Sequence, residues 1–216
     1  GQNLAKYWMH NGFVNIDGEK MSKSLGNSFF LKDVLKSYSG EVIRFYLMSA
    51  HYRANFNFNE EDLISSKKRL DKLYRIKKRV YGVDASTINK KFKEDVLNAL
   101  NDDMNTSKAL SLIDEMIGNA NDKLDANPKD KNLKKELISN ILFINDILGI
   151  GFSDAYEYFQ FGIDEQTKLK IENLITQRNE AKKEKNFEIA DAVRNELATL
   201  GISLMDTVNG TVWEKL

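Results

Sequence analysis

Glu19-Lys20-Met21-Ser22-Lys23-Ser24-Leu25-Gly26-Asn27 sets two lysines three positions apart, interleaves them with serines and closes on Leu-Gly-Asn. Ammonium groups on flexible stems are movable point charges, and the hydroxyls beside them add hydrogen-bond donors, so the stretch is suited to following phosphate oxygens. Most two-lysine loops taken singly are solvated turns, so the weight falls on what surrounds this one. Upstream, Phe13 to Asp17 reads as a short strand that Asp17-Gly18 turns into the loop. Downstream, Asn27 or Ser28 can cap a helix carrying Leu31, Val34 and Leu35. The order is strand, phosphate-handling loop, helix.

Farther along, periodicity predicts helices almost throughout. One starts at Glu41, with Val42, Ile43, Phe45, Tyr46 and Leu47 inward. Leu63, Leu70, Leu73 and Val80 mark the next; Phe92, Val96, Leu97 and Leu100 another; Leu110, Ile113, Met116, Ile117 and Leu124 a third; Leu133, Leu137, Ile141, Leu142 and Leu148 a fourth. These predict an antiparallel helical bundle. Asn105 and Thr106 can cap a helix after Asp102-Asp103, which reads as a corner, and Asn127-Pro128 breaks the last two bundle helices apart. After Gly149-Ile150-Gly151-Phe152 comes a looser aromatic stretch. A polar helix from Glu165 to Glu184 follows, with Leu169, Leu174 and Ala181 inward. A second helix carries Ala190, Val193, Leu197 and Leu200 and is stopped by Gly201; a hairpin then turns at Asn209-Gly210. The fold class expected is mainly α, with a small α/β piece, a helical bundle and a helix-helix-hairpin end. The boundaries expected are 1–59, 60–150, a linker at 151–164, and 165–216.

Composition excludes more than it identifies. The 216 residues, 42% of them hydrophobic, suffice for packed cores, and 32 Lys/Arg balance 32 Asp/Glu, so a grip on an anionic partner must come from local clustering. With no cysteine, disulfides and Cys-ligated metals are excluded from the chain. No apolar run can span a bilayer and Gly1-Gln2-Asn3 does not open a signal peptide, so a cytoplasmic protein free of membrane is expected; a monomer is expected as well. His10 and His51 are the only histidines, and with no second ligand set neither is expected to bind metal; packing beside Trp8 and Arg53 is expected instead.

Four segments carry a resemblance. Tyr7 to Asn27, Y-W-M-H-N-G-F-V-N-I-D-G-E-K-M-S-K-S-L-G-N, and Gly40 to Phe58, G-E-V-I-R-F-Y-L-M-S-A-H-Y-R-A-N-F-N-F, resemble the cysteinyl-tRNA synthetase family. So do Asp102 to Leu110, D-D-M-N-T-x-x-A-L, and Phe187 to Trp213, F-x-x-A-D-x-x-R-x-x-L-x-x-x-G-I-x-L-x-D-T-x-x-G-T-x-W. K-M-S-K-S alone resembles class I aminoacyl-tRNA synthetases in general; the other three segments select the cysteine enzymes. The resemblance implies ATP with magnesium, cysteine and tRNA(Cys). It also implies a longer enzyme, whose amino-terminal Rossmann domain holds an H-x-G-H motif and a zinc site that senses the substrate thiol. Neither is present in this sequence, so the chain resembles a carboxy-terminal portion. A noncatalytic tRNA-binding module, as the chain stands, is the alternative. A ligase making a small thiol would have no use for the ending through Trp213.

By this resemblance Lys20 and Lys23 are the catalytic cations, Lys23 the principal one. Met21 anchors the loop, and Ser22 and Ser24 orient it on ATP. The α/β piece resembles the family's stem-contact fold, which rests against the inner side of the tRNA; there Arg44, Tyr52 and Arg53 brace the tRNA, and Arg44 serves equally well as an internal anchor. Lys67-Lys68-Arg69, Lys72, Arg75 and Lys77-Lys78-Arg79, with Asp71 the single acid between them, form either a phosphate-tracking helix face or an ordinary solvated one. For the anticodon the resemblance implies Asp191, Asp206 and Trp213, with Lys182 where the family usually has arginine and Phe187 where a ring can stack on a base. For Trp213 and Phe187 a small core under the hairpin is the competing role.

Overall fold

A computed structural model of the chain describes residues 4–16, 19–20 (backbone only), 31–207 and 210–215. It is mainly α and divides into two compact units, Gly1–Phe152 and Ser153–Leu216.

The first unit opens with a three-stranded sheet. Central β1 (Val14–Ile16) pairs antiparallel with β2 (Glu19–Lys20) and parallel with β3 (Phe56–Phe58), in register Asn15 to Lys20 and Val14 to Phe56. Gly12 lies just before β1, where a Cβ would fall 2.1 Å from the Ala54 carbonyl oxygen, so only glycine lets the two segments meet. The capping residues expected before α1 (Leu31–Ser37) lie outside the described residues.

Helices α2 (Gly40–Met48), α3 (Glu60–Arg79), α4 (Lys90–Asn101), α5 (Thr106–Ala126) and α6 (Lys131–Leu148) complete the unit. Each begins where a short polar side chain, from Ser39, Asn59, Asn89, Asn105 and Asp130 in turn, accepts an otherwise orphaned amide of the first turn. Helix α3 packs on α5, α4 on α5 and α6, and α2 on α3 and α5. Their shared core includes Leu63, Leu70, Leu73, Ile76, Leu110 and Ile141, none more than 1% exposed.

Two polar links tie α2 into this core. The Glu41 carboxylate, 4% exposed, accepts the Tyr74 hydroxyl at 2.8 Å and the Gly151 amide. Arg44 Nε donates to the Leu148 carbonyl at 2.6 Å, and α6 ends on Gly149 at φ 65°, where a side chain would run into that guanidinium. Between α4 and α5, Asp103 and Met104 stand at φ 52° and 54°, left-handed conformations rare outside glycine, while Asn105 caps α5.

The second unit has a 3₁₀ turn (Glu157–Gln160), helices α7 (Glu165–Lys183) and α8 (Phe187–Thr199), and a hairpin of β4 (Ile202–Thr207) with β5 (Gly210–Lys215), in register Asp206 to Thr211. Gly201 stands past α8 at φ 73°, as a helix stop requires, and the expected Asn209 turn lies outside the described residues. Ile171, Leu174, Ile175, Val193, Leu197, Ile202 and Trp213 form one core. Tyr156 and Tyr158, in the stretch read as a linker, are 3% and 9% exposed.

Four leucines read as inward are not: Leu47, Leu142, Leu169 and Leu200 are 52%, 53%, 64% and 46% exposed. The reason is angular. The buried stripe of α7 runs Ile171, Leu174, Ile175, Arg178, Ala181, and Leu169, two residues before it, points roughly 200° away at about 100° per residue. Leu142 sits similarly beside the stripe of Leu137, Ile141, Ile144 and Leu148.

Candidate functional site

The sheet fixes where the lysine-serine loop leaves the fold. The β1–β2 ladder sets the backbone of Lys20 opposite Asn15. Met21, Ser22, Lys23 and Ser24 lie outside the described residues. Among the described residues no three metal-ligating side chains come together, and no helix is long and apolar enough to cross a membrane.

Next to this sheet, the residues taken from the stem-contact segment are engaged with the protein itself. Arg44 is tied to the end of α6, as above. Arg53 grips Asp103 through Nε to Oδ2 at 2.6 Å and Nη2 to Oδ1 at 3.1 Å, and the Tyr52 hydroxyl donates to the same carboxylate at 2.7 Å. His51 contributes Nε2, 3.0 Å from the Asp103 carbonyl oxygen, while its Nδ1 takes the Arg53 amide at 3.3 Å. The Arg53 fork, with the Tyr52 hydroxyl behind it, lowers the pKa of the Asp103 carboxyl to about 2.

Several cations of the basic run of α3 are engaged within the first unit. Lys67 pairs with Asp71 (2.9 Å), Arg69 with Asp114 (2.7 Å) and Arg79 with Asp125 (2.6 Å), while Lys77 donates to the Gly151 carbonyl at 2.8 Å. The Arg69, Arg79 and Lys77 contacts brace the unit, while the Lys67 pair lies within α3. Lys68, Lys72 and Arg75, spaced i, i+4, i+7 along one stripe, are exposed. A helix face of three cations at that spacing can meet successive phosphates.

In the second unit the expected anticodon residues fall into two groups. Asp206 is held in a cage: Arg178 Nη1 and Nη2 reach its two oxygens at 2.9 and 3.1 Å, Lys182 Nζ sits at 2.9 Å, and Thr211 Oγ1 at 2.8 Å. Trp213 is 3% exposed in the core, with Nε1 donating to Glu172 at 2.6 Å. Phe187, by contrast, is 63% exposed at the start of α8, and Asp191 is exposed one turn later on the same side. Thus Lys182 and Asp206 face each other, Trp213 underlies the hairpin, and Phe187 with Asp191 faces solvent.

Arg178 does not stand out in the sequence, although it is 8% exposed and carries the cage. The signal that could have found it is its place on the apolar stripe of α7: a cation there must find an acid or leave a charge buried. The Arg178 fork first, then the Lys182 ammonium, holds the Asp206 carboxyl well below the usual carboxylate range. A carboxyl depressed by folding stabilises the fold above its unfolded pKa of about 3.9, and that contribution disappears as pH falls below that value. The melting temperature of the second unit is therefore expected to drop steeply below about pH 4, and Asp206→Asn to flatten that drop, read by circular dichroism across an acid titration. An unchanged acid profile in Asp206→Asn removes the cage as its source.

Residues 1–68 match the family model described as tRNA synthetases class I (C) catalytic domain, and residues 95–153 match the DALR domain. The class is that of class I aminoacyl-tRNA synthetases. Over its whole length the chain is 80% identical across 216 residues to a cysteine-tRNA ligase of Aliarcobacter butzleri (strain RM4018), covering 46% of that protein. It is 63% identical across 215 residues to that of a Nitratiruptor species and 57% identical across 216 to that of Helicobacter pylori (strain G27), again covering 46% of each. The chain belongs to the cysteine-tRNA ligase family, and it spans somewhat less than half the length of these relatives.

Proposed function

We propose that the chain is the part of a cysteine-tRNA ligase that brings a pair of lysines to ATP and grips tRNA(Cys). The observation that carries this reading is the 80% identity over the full chain to a cysteine-tRNA ligase, with K-M-S-K-S falling inside the class I match at 1–68. In the reaction, cysteine and ATP give cysteinyl adenylate and pyrophosphate, and the cysteinyl group then passes to the terminal adenosine of the tRNA. Lys20 and Lys23 neutralise the phosphate oxygens as charge moves onto the leaving pyrophosphate; Met21 anchors the loop, and Ser22 and Ser24 orient it. Magnesium accompanies the nucleotide, and the zinc of the family belongs to the portion of the relatives that this chain does not align with. The setting is the cytoplasm, and the working form a monomer.

For tRNA, exposed Lys68, Lys72 and Arg75 follow the phosphate backbone, and Arg53 shares its guanidinium between Asp103 and the stem. Exposed Phe187 and Asp191 support base reading, the ring as a stacking platform and the carboxylate as an acceptor. Arg178 and Lys182 fix Asp206 beside them, and Trp213 supports the strand that carries it. A second reading is favoured by the absence of an H-x-G-H motif from the sequence: as it stands, the chain binds tRNA without activating cysteine.

Cysteine-dependent ATP–pyrophosphate exchange separates the two, run on this chain and on a full-length ligase containing it. Exchange by the long protein alone supports both readings in their places; exchange by neither sinks the first. In tRNA binding, Lys72→Ala is expected to weaken all tRNA sequences alike and to lower the slope of log affinity against log salt by about 1. A sequence-dependent loss counts against a phosphate contact.

A further inference from the structure

We propose that Asp103 is a positioning residue, the keystone of a clamp that transmits the set of the helical bundle to the strand carrying the ATP loop; this rests on the functional reading above. Asp103 sits in the α4–α5 corner, yet its contacts are with residues about fifty positions earlier. Its carboxylate takes three hydrogen bonds from Arg53 and Tyr52, and its carbonyl oxygen meets His51 Nε2. His51 and Tyr52 stack at 5.0 Å, and the Arg53 guanidinium lies 5.0 Å from the Tyr52 ring centroid. The segment 51–53 is thus held on both its edge and its faces.

The same segment holds the start of the sheet. The Tyr52 carbonyl accepts the Gly12 amide at 2.8 Å, Asn55 Oδ1 accepts the Phe13 amide at 3.0 Å, and the Phe13 carbonyl accepts the Phe56 amide at 2.8 Å. Gly12 is flush against Ala54, with no room for a side chain. From Phe13 the chain enters β1, and β1 sets the register of Lys20 in β2. One residue, Tyr52, therefore touches the bundle with its hydroxyl and the segment leading into β1 with its carbonyl.

The corner is held in an uncommon conformation for this purpose. Asp103 and Met104 are both left-handed non-glycine residues, a strained conformation that persists only where the surroundings over-determine it. Backbone bonds from Met104 to Leu100 and from Asn105 to Ala99 hold the turn, and the turn aims the Asp103 carboxylate at Arg53. A corner serving only to reverse the chain has no need of a buttress across the unit. A shift of the bundle that displaces this corner is carried by the clamp to Gly12 and Phe13.

The test is amide hydrogen exchange by NMR on this chain, with Asp103→Asn chosen because asparagine accepts left-handed φ and keeps the corner. Exchange at Gly12, Phe13 and Phe56 is expected to accelerate about 5- to 50-fold, with amides inside α5 and α8 unchanged. No acceleration at these three amides overturns the clamp. Uniform acceleration throughout residues 1–152 overturns it as well, since Asp103 is then merely stabilising. Should Asp103→Asn fail to fold, Tyr52→Phe, which removes one hydroxyl and keeps the ring stack, gives the same reading. In a second arm, a tRNA(Cys) transcript should slow exchange at Gly12 and Phe13 in the wild type, and bind Asp103→Asn without slowing it. Binding to the wild type with no slowing overturns the transmission. A wild type that binds no tRNA instead defeats the functional reading, while the first arm still decides the clamp.

Discussion

In a full-length ligase carrying this chain, Lys23→Ala is expected to slow cysteinyl-adenylate formation by about 10²- to 10³-fold and to leave cysteine affinity little changed. Charge on the phosphates grows mainly in the transition state, so an ammonium that meets it there lowers the barrier without tightening the ground state. The backbone of Lys20 is in register with Asn15 at the edge of the sheet, and Lys23 follows it by three residues. Pre-steady-state adenylate formation at saturating ATP isolates the step. An adenylation rate within a few-fold of wild type removes Lys23 from the chemistry, and a raised cysteine KM with normal rate moves its role to binding.

Trp213→Ala is expected to unfold the second unit at ambient temperature. Truncating a buried tryptophan costs about 3–5 kcal/mol, and a unit of this size is stable by roughly 3–10 kcal/mol in total. The Trp213 ring packs in the core with Ile171, Leu174, Leu197 and Ile202, Nε1 bonds to Glu172, and the Trp213 carbonyl takes the Gln160 amide group at 2.9 Å. Replacement by phenylalanine separates packing from hydrogen bonding and is expected to keep the unit folded. Urea unfolding followed by circular dichroism, with tRNA affinity measured on the same samples, decides the role of the ring. If Trp213→Ala stays folded and loses tRNA, the ring serves the base directly. If the unit melts, Trp213 acts by holding the hairpin under Asp206.

Local order is readable from local residues. Leu63, Leu70, Leu73 and Val80 repeat at helical spacing and are all within 1% of full burial, and Asn105 caps α5 as its place after the Asp-Asp pair suggests. Motif spacing alone carries the family, because K-M-S-K-S, D-D-M-N-T and the ending through Trp213 are each contiguous. What the sequence hides is what long-range pairing decides. Glu41 reads as a helix start, and nothing nearby announces that its carboxylate meets Tyr74 and Gly151. Arg53 and Asp206 read as residues for RNA, while their partners, Asp103 and Arg178, lie 50 and 28 positions away. Leu142 and Leu169 are misread because a leucine beside a stripe looks like a leucine on it until the stripe is seen.

The bonds from Glu41 to Gly151 and from Arg44 to Leu148 close loops of 110 and 104 residues, which matters for a chain made one residue at a time. At about 5–20 residues per second, roughly 5–20 s separate the synthesis of Glu41 from that of Gly151. Throughout that interval Val42, Ile43, Phe45 and Tyr46, all later buried, have no finished bundle to pack on. The sheet and α2 are thus made before the residues that secure them. A pause in translation between Glu41 and Gly151 lengthens the interval in which these four side chains lack their complete partner surface.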